Sequence, residues 1–185
     1  MKLQAKEKQE NKLNTKKIKI GVLGGSFDPA HKGHLAISKE AKKRFKLQNI
    51  IWAITKKNPF KAESETTVLK RIKECRRIIG SNSFIKVKFY ENLIKSNKTI
   101  DLINKLKKNK NIEIYFLMGA DNLISFHKWY KSKLISQKCN ILVFDRHGYK
   151  KNSLKSKTFK QLNKDVLKFI EFKKVNISSS QLRKI

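Results

Sequence analysis

The sequence predicts an α/β fold: a doubly wound, mostly parallel sheet of five to six strands in a single domain. Short β-branched apolar runs alternate along the chain with segments of helical periodicity. A glycine-rich turn joins the first apolar run to the first helical segment. A length of 185 residues fits one domain. We expect residues 18–185 to form this domain, preceded by a basic, mobile extension over residues 1–17.

The predicted elements follow one another in a strand–helix order. Apolar runs predict strands at residues 18–23, 50–54, 84–89, 112–118 and 140–144, and a last strand within residues 166–175. Apolar residues at helical spacing predict helices at residues 35–44, 68–79 and 100–106, the last with a solvated end at residues 104–109. Residues 148–160 are basic and polar without clear periodicity, so we expect an irregular surface loop there.

The chain is strongly basic, with a formal net charge of +31. A nucleic-acid-binding protein is one explanation of such a charge. However, the 45 basic residues comprise 39 Lys and 6 Arg, spread along the chain beside many Ile and Asn, as AT-rich codons would produce. Specific DNA readers rely on arginine for bidentate contacts to guanine. We therefore expect no specific nucleic-acid partner. The positive charge alone favours the binding of ATP and attracts polyanions at low salt.

The patterns of several other protein classes do not occur in the sequence. No apolar run approaches the roughly 20 residues of a membrane span, and the N-terminus lacks the apolar core of a secretory signal. Cys75 and Cys139 lie in apolar patterns outside any CxxC pair or His/Cys cluster, so we expect buried, reduced thiols. The sequence thus predicts a cytoplasmic protein with no membrane partner and no metal held by the protein itself.

The stretch from Gly24 to His34, GGSFDPAHKGH, is the most informative part of the chain. It lies between a predicted strand and a predicted helix, where backbone N–H groups and the helix N-terminus are suited to bind an anion. His31 and His34 are three residues apart and share one face of the first helical turn. The stretch predicts a site for a nucleoside triphosphate. For an HxGH tetrapeptide alone, a tight turn with two helix-capping histidines is the alternative.

A second anion-binding pattern lies in residues 176–183, NISSSQLR. Ser178 and the glutamine three residues later have the spacing of a capping box. Ser179 and the free N–H groups of such a helix start would face an anion, with Arg183 one turn further on. An ordinary helix N-cap is the alternative interpretation. The printed sequence leaves this helix about two turns, so we expect Arg183 to be weakly fixed.

The third pattern is MGADNLISFHKW, at residues 118–129. It follows a predicted strand, so it lies at the same end of the sheet as the glycine-rich turn. Trp129 offers an aromatic face on which a flat heteroaromatic ring can stack. Packing of Trp129 in the core is the alternative.

Together these motifs resemble those of the nucleotidyltransferase superfamily with the HxGH motif, over about residues 18–183. GGSFDPAHKGH resembles the GG[ST]FDPxHxGH form found in bacterial nicotinate-mononucleotide adenylyltransferases; ISSSQLR resembles their ISSTxIR, and GADNLISFHKW their GADxLxxFxxW. The resemblance implies a Rossmann-like sheet. It also implies an enzyme of NAD biosynthesis, which transfers the adenylyl group of ATP to nicotinate mononucleotide and releases deamido-NAD and pyrophosphate.

Three weaker matches complete the implied site. KTID at residues 98–101 resembles the family's YTxDT, with Lys98 in place of Tyr and Thr99 as the expected helix N-cap. NPFK at residues 58–61 resembles NPxK or PPHK, which implies that Lys61 meets a phosphate. DRHGY at residues 145–149 resembles an RPG element, but a solvated loop is our default interpretation of Arg146 and His147.

The resemblance assigns roles to residues of this chain. His31 and His34 are implied to bind ATP phosphates and to stabilise the charge that develops during transfer. ATP or phosphate contacts are implied for Gly24, Gly25, Ser26, Phe27, Lys61, Ser178, Ser179 and Arg183. Mononucleotide contacts are implied for Thr99, Asp121 and Trp129. We expect Mg²⁺ to arrive with ATP, because no carboxylate cluster for a protein-held ion is visible, and Asp28 to structure the turn.

Two other functions stay open at this point. Phosphopantetheine adenylyltransferases share the superfamily signature, but they usually have Thr in place of His31 and lack the GADxLxxFxxW element. A basic polyanion-binding remnant without activity would explain the charge. The sequence does not decide between nicotinate and nicotinamide mononucleotide, nor does it fix the oligomeric state, a homo-oligomer included.

Overall fold

A six-stranded, all-parallel sheet lies at the centre of the computed structural model, which describes residues 17–56 and 66–171. The strands are β1 (Ile18–Gly25), β2 (Asn49–Ile54), β3 (Ile85–Phe89), β4 (Ile112–Gly119), β5 (Asn140–Phe144) and β6 (Leu167–Ile170). Their order is β3-β2-β1-β4-β5-β6, and every neighbouring pair is parallel. Each predicted apolar run is a strand, so the doubly wound α/β prediction is confirmed.

Helices connect the strands. They are α1 (Lys32–Phe45), α2 (Val68–Ile79), α3 (Glu91–Ile94), α4 (Thr99–Lys107), α5 (Ala120–Ser125), α6 (Ser132–Lys138), α7 (Lys150–Lys155) and α8 (Lys157–Gln161). A 3-10 turn, Phe126–Lys128, follows α5. The three predicted helices are confirmed as α1, α2 and α4. No helix within residues 17–56 and 66–171 combines the length and apolar character needed to cross a membrane.

The core has two parts, one on each face of the sheet. Val22 and Phe116 belong to the part that also contains Ile103 of α4, whereas their neighbours Leu23 and Leu117 belong to the part with Cys75 of α2. Side chains alternate between the two faces of a strand, so central strands buried on both faces read as continuous apolar runs. For this reason the positions of β1 and β4 could be predicted from the sequence.

Both cysteines are buried and free, as expected. Cys75 lies in one half of the core and Cys139 in the other. Burial raises the pKa of each thiol from 9.0 to about 12. At neutral pH both are therefore protonated, small hydrophobic side chains.

The prediction of an irregular loop at residues 148–160 is wrong, because α7 and α8 lie there. Their buried residues are small and polar: Ser153, Ser156 and Thr158. The Ser156 hydroxyl caps α8 by accepting from the Phe159 N–H at 3.2 Å. The Thr158 hydroxyl accepts from the His127 N–H at 3.2 Å, which ties α8 to the turn after α5. Because the fully buried positions carry small polar side chains and Phe159 alone of these helices packs an aromatic ring against Phe169, the sequence shows no regular hydrophobic period here.

Some predictions concern residues outside the described part of the chain. These are the extension over residues 1–16, the segment around Lys61 and the helix expected from Ser178. They stay predictions, as does the single-domain boundary at residue 18.

Candidate active site

The candidate site lies where the strand order reverses. β1 and β4 are neighbours at the centre of the sheet, and the chain leaves β1 towards β2 on one side and β4 towards β5 on the other. Leu23 is in register with Leu117, so Gly25 and Gly119 end their strands at the same edge. Open parallel sheets bind ligands at such a switch point. The sequence-predicted motifs at residues 24–34 and 118–129 both begin there.

Two histidines cap the helix that follows β1. The Nδ1 atom of His31 accepts from the Gly33 N–H at 3.1 Å, and the Nδ1 atom of His34 accepts from the His31 N–H at 3.2 Å. These reciprocal bonds form a capping box at the start of α1. Because Nδ1 of each ring is an acceptor, the neutral imidazole carries its proton on Nε2. Nε2–H is thus the donor group of both rings.

Aromatic packing holds the two imidazoles in place. The His31 and His34 ring centroids are 3.8 Å apart, and Phe27 lies 4.7 Å from His34. Phe27 stacks on Trp52 of β2 with centroids 5.0 Å apart. The Trp52 Nε1–H donates to the Ser38 hydroxyl at 2.8 Å, and that hydroxyl donates to the His34 carbonyl at 2.9 Å. Trp52 therefore fixes the first turn of α1 from within the core.

The turn between β1 and α1 separates accessible backbone from buried side chains. Gly24 is exposed, and Gly25 and Ser26 are half-buried, which leaves their backbone open to a ligand. Phe27 has a positive φ of 51° and is 2 % exposed, so its ring is packed inside the protein and does not face a ligand. Asp28 is buried and accepts from the Thr66 hydroxyl at 2.8 Å. This agrees with the structural role expected for Asp28.

An ion pair after β4 and β5 is a site feature that the sequence did not reveal. Arg146 Nη1 donates to Asp121 Oδ2 at 2.5 Å, and its guanidinium lies 5.6 Å from the centre of the Tyr149 ring. The solvated-loop interpretation is therefore wrong for Arg146, while His147 is exposed. Arg146 and Asp121 lie 25 residues apart, and only the pairing of β4 with β5 brings them together.

Asp121 lies under the end of β4. Its Oδ1 atom is buried and has no hydrogen-bond partner within the described residues. A Cβ atom at Gly119 would lie 2.4 Å from that oxygen, which is far inside van der Waals contact. Glycine at position 119 therefore allows the carboxylate to fold back under the strand end. Within the described residues, one Asp121 oxygen therefore meets Arg146 and the other is buried without a hydrogen-bond donor.

The remaining predicted mononucleotide residues have different surroundings. Trp129 is half-buried and meets Phe116 edge-on, with centroids 6.0 Å apart, and Phe126 at 5.3 Å. The expectation that Thr99 caps α4 is wrong: the N-cap is Lys98, and Thr99 is the first helical residue. The chain before α4 is ordered by Ser96 instead. Its hydroxyl donates to the Asp101 carboxylate at 2.7 Å and accepts from the Lys98 N–H at 3.1 Å.

A cavity of about 600 Å³ opens beyond the carboxyl end of β2. It is lined by Lys56, Glu91, Asn92, Lys95, Ser96, Asn97 and Lys98. Glu91 accepts from the Thr55 hydroxyl and from the Lys56 N–H. Three lysines against one carboxylate that is already bonded make this a favourable place for an anion.

Below the turn lies a second residue that the sequence did not reveal, Arg71 of α2. Its side chain is buried, and its guanidinium donates to four backbone carbonyls, among them that of Ser26 at 2.6 Å. The sequence signal for it was an arginine on the apolar face of α2, between Val68 and Cys75.

The described part of the site is rich in hydrogen-bond donors. Within residues 17–56 and 66–171, no three His, Cys, Asp or Glu side chains are grouped so that they could hold a metal ion. Lys61, Ser178, Ser179 and Arg183 lie outside these residues, so their predicted phosphate contacts stay predictions. The described donors suit a phosphate-bearing ligand.

The chain is similar to known proteins over most of its length. Residues 22–185 match the family described as cytidylyltransferase-like. The chain is 70% identical over 178 residues to "Probable nicotinate-nucleotide adenylyltransferase" of Pelagibacter ubique (strain HTCC1062), which covers 96% of this chain and 99% of the relative. A protein of the same name from Clostridium botulinum (strain Eklund 17B / Type B) is 34% identical over 171 residues, with 90% and 84% covered.

A solved structure has the same fold. Plasmodium falciparum nicotinic acid mononucleotide adenylyltransferase, complexed with NaAD, matches with a TM-score of 0.73 at 24% sequence identity, over 90% of this chain and 82% of that chain. This likeness confirms the Rossmann-like fold predicted from the sequence. The family match, the 70% identity and the shared fold agree with the HxGH turn after β1. The chain therefore belongs to the cytidylyltransferase-like family and, within it, to the nicotinate-nucleotide adenylyltransferases.

Proposed function

We propose that this chain transfers the adenylyl group of ATP to nicotinate mononucleotide, giving deamido-NAD and pyrophosphate in NAD biosynthesis. The observation that carries the proposal is the histidine capping box at the switch point, where two Nε2–H donors are held side by side. The choice of mononucleotide is supported by the relative that shares 70% of its residues over nearly its whole length.

Catalysis of this reaction depends on positioning the reactants more than on acid–base chemistry. A phosphate oxygen of the mononucleotide attacks the α-phosphorus of ATP in line. The bond from that phosphorus to the bridging oxygen breaks, and pyrophosphate leaves with the electron pair. The attacking phosphate is already an anion at neutral pH, so it needs neither a base nor a covalent enzyme intermediate. Holding the reactants in line and stabilising charge on the phosphates account for catalysis.

The triphosphate side of the site is assigned to the turn after β1. We assign His31 and His34 as the catalytic residues, whose Nε2–H groups donate to phosphate oxygens as negative charge develops there. Gly24, Gly25 and Ser26 expose backbone beside them. Lys61, Ser178, Ser179 and Arg183 are proposed to contact phosphates as well, on the motif matches alone.

The mononucleotide side is assigned to the segment after β4. Trp129 is half-buried and its ring lies at 86° to that of Phe116, which supports a role as a stacking platform for the pyridine ring. Asp121 has one buried oxygen without a donor among the described residues, while Arg146 holds the other, which supports a role for this carboxylate on the mononucleotide side. Thr99 is the first residue of α4, beside the lysine-lined cavity, and we propose that the backbone N–H groups there favour the pyridine carboxylate.

Magnesium is proposed to arrive with ATP. The donor set fits this assignment, because the described site offers N–H groups and cations for the phosphates and no grouped carboxylates for the ion. Bound to the triphosphate, the ion supplies charge neutralisation at the oxygens of the leaving group.

The direct test is a pyrophosphate-release assay with ATP and one of three acceptors: nicotinate mononucleotide, nicotinamide mononucleotide or phosphopantetheine. We expect the highest kcat/KM with nicotinate mononucleotide. Release with phosphopantetheine and not with either mononucleotide would assign the chain to the sister activity. No release with any acceptor, together with salt-sensitive RNA binding, would identify a polyanion-binding protein instead.

The histidine assignment has its own test, with a matched control. His34→Ala removes one preorganised donor, so we expect turnover to fall by roughly two to three orders of magnitude. His147→Ala removes an exposed imidazole that lies outside the capping box, and we expect activity to stay near that of the unchanged protein. Near-normal turnover of the His34→Ala variant would remove the histidines from the mechanism.

A further inference from the structure

Arg71 is a buried cation that bonds only to the backbone among the described residues. Its side chain is 3 % exposed. Nη1 donates to the carbonyls of Ser26 at 2.6 Å and Thr55 at 2.7 Å, Nε donates to that of Thr66 at 3.2 Å, and Nη2 donates to that of Lys56 at 3.4 Å. Burial holds the pKa of Arg71 below its usual value. The negative charges of Asp28 and Glu91 oppose this effect only in part.

The four carbonyls belong to three segments that leave the sheet or enter α2. Ser26 follows β1 directly, Thr55 and Lys56 follow β2, and Thr66 precedes the Thr67 cap of α2. One side chain therefore joins the turn that leads to the histidines with both the end of β2 and the start of α2.

Further side chains brace the same three segments. The Thr66 hydroxyl donates to Asp28 at 2.8 Å, so the start of α2 also binds the turn after β1. Glu91 accepts from the Thr55 hydroxyl and from the Lys56 N–H at 3.2 Å, which holds the end of β2 from the other side. Arg71 itself reaches all three segments.

The bond to Ser26 acts on the geometry of the turn. The peptide unit between Ser26 and Phe27 is planar, so fixing its carbonyl on Arg71 fixes the Phe27 N–H on the opposite side. Phe27 has a φ of 51°, which a bulky side chain rarely adopts without support. Its ring is in turn the surface on which His34 and Trp52 pack.

We propose that Arg71 is a positioning residue for ATP: by holding the Ser26 carbonyl, it sets the turn and thereby the direction of the two imidazoles. The inference rests on the proposed ATP-dependent function. Only a guanidinium has enough donors in a fixed plane to meet four carbonyls, so lysine cannot replace it fully. Arg71 touches no substrate itself, and its effect reaches the reaction through the turn.

The test compares Arg71→Lys with Arg76→Lys, a change of the same type at an exposed position of the same helix. Far-UV circular dichroism checks the fold, calorimetry gives the Kd for ATP without turnover, and steady-state kinetics gives KM for each substrate. For Arg71→Lys we expect the Kd and KM for ATP to rise about tenfold, which corresponds to about 1.4 kcal/mol. The KM for the mononucleotide should change by less than about twofold, and Arg76→Lys should change neither value.

This split separates positioning from mere stability. A purely structural loss lowers the fraction of active protein, so kcat falls while both KM values and the ATP Kd stay as they were; that result overturns the proposal. If the Arg71→Lys protein is unfolded, Arg71→Gln serves for the same comparison, and failure of both to fold also overturns it. The ATP Kd does not depend on the second substrate, so a wrong acceptor would show as absent turnover with the binding difference intact.

Discussion

Replacing His31 with asparagine separates the two tasks of the capping box. The His31 ring accepts from the Gly33 N–H through Nδ1 at 3.1 Å, and in the proposed mechanism its Nε2–H donates to a phosphate. Asparagine is among the best N-cap residues, because its side-chain oxygen accepts from the same N–H groups. It has no donor where Nε2–H lies. The substitution therefore keeps the helix cap and removes the phosphate contact that we propose.

The two energies differ enough to be told apart. Losing the cap, as in His31→Ala, costs about 1 kcal/mol, which lowers Tm by about 2–4 °C in a chain of this size. Losing a preorganised donor to the transferring phosphate costs about 3–4 kcal/mol, or roughly a hundred- to a thousandfold in kcat. We expect His31→Asn to keep its Tm within about 1 °C and to lose that factor in kcat.

The assay is pyrophosphate release at saturating ATP and nicotinate mononucleotide, alongside thermal unfolding of the same samples. Adding His34→Gln to His31→Asn rebuilds a complete capping box without any imidazole, since glutamine is the usual partner at the third helical position. That double variant should be stable and inactive. If either variant keeps near-normal kcat, the histidines serve as helix caps alone and the phosphate assignment fails.

Three further predictions concern other parts of the chain. Gly119→Ala places a Cβ 2.4 Å from Asp121 Oδ1, so we expect a loss of about 1–2 kcal/mol in urea unfolding that disappears in the Asp121→Ala background; an equal loss in both would contradict the clash. Trp129→Leu should raise the KM for the mononucleotide about tenfold, from a stacking energy of about 1–3 kcal/mol, and leave that for ATP unchanged; a larger effect on ATP would move Trp129 to the other subsite. Between pH 9 and 12 the unfolded chain loses thiol protons that the folded chain keeps. Stability should therefore fall with rising pH by up to about 1.4 kcal/mol per unit and thiol, and Cys139→Ala should reduce that slope in urea titrations; an unchanged slope would refute it.

The sequence was sufficient where the signal is local and apolar. The strands are continuous β-branched runs because they are buried on both faces, and the HxGH turn is contiguous in sequence. Helices whose buried positions are small and polar could not be predicted, because such positions give no hydrophobic periodicity. The buried positions of α7 and α8 and of the residue between them are of this kind: Ser153, Ser156 and Thr158.

Contacts between residues far apart in the sequence could not be predicted either. Arg146 meets Asp121 only because β4 and β5 are neighbours, and the charged loop pattern around Arg146 gave no sign of a partner. For Arg71 the sequence does contain a signal, because an arginine occupies the apolar face of α2. Its four carbonyl partners could not be named before the strand order was known.

The pairing of β1 with β4 also has a consequence for how the chain acquires its activity. Ile18 is in register with Ile112, so about ninety residues separate the two central strands, and such distant contacts form slowly. During synthesis, β1 and β2 can pair early. The cleft between the ends of β1 and β4 forms only after β4 has left the ribosome. The N-terminal strands alone therefore have the histidine turn without a cleft, and catalytic competence is acquired late in synthesis.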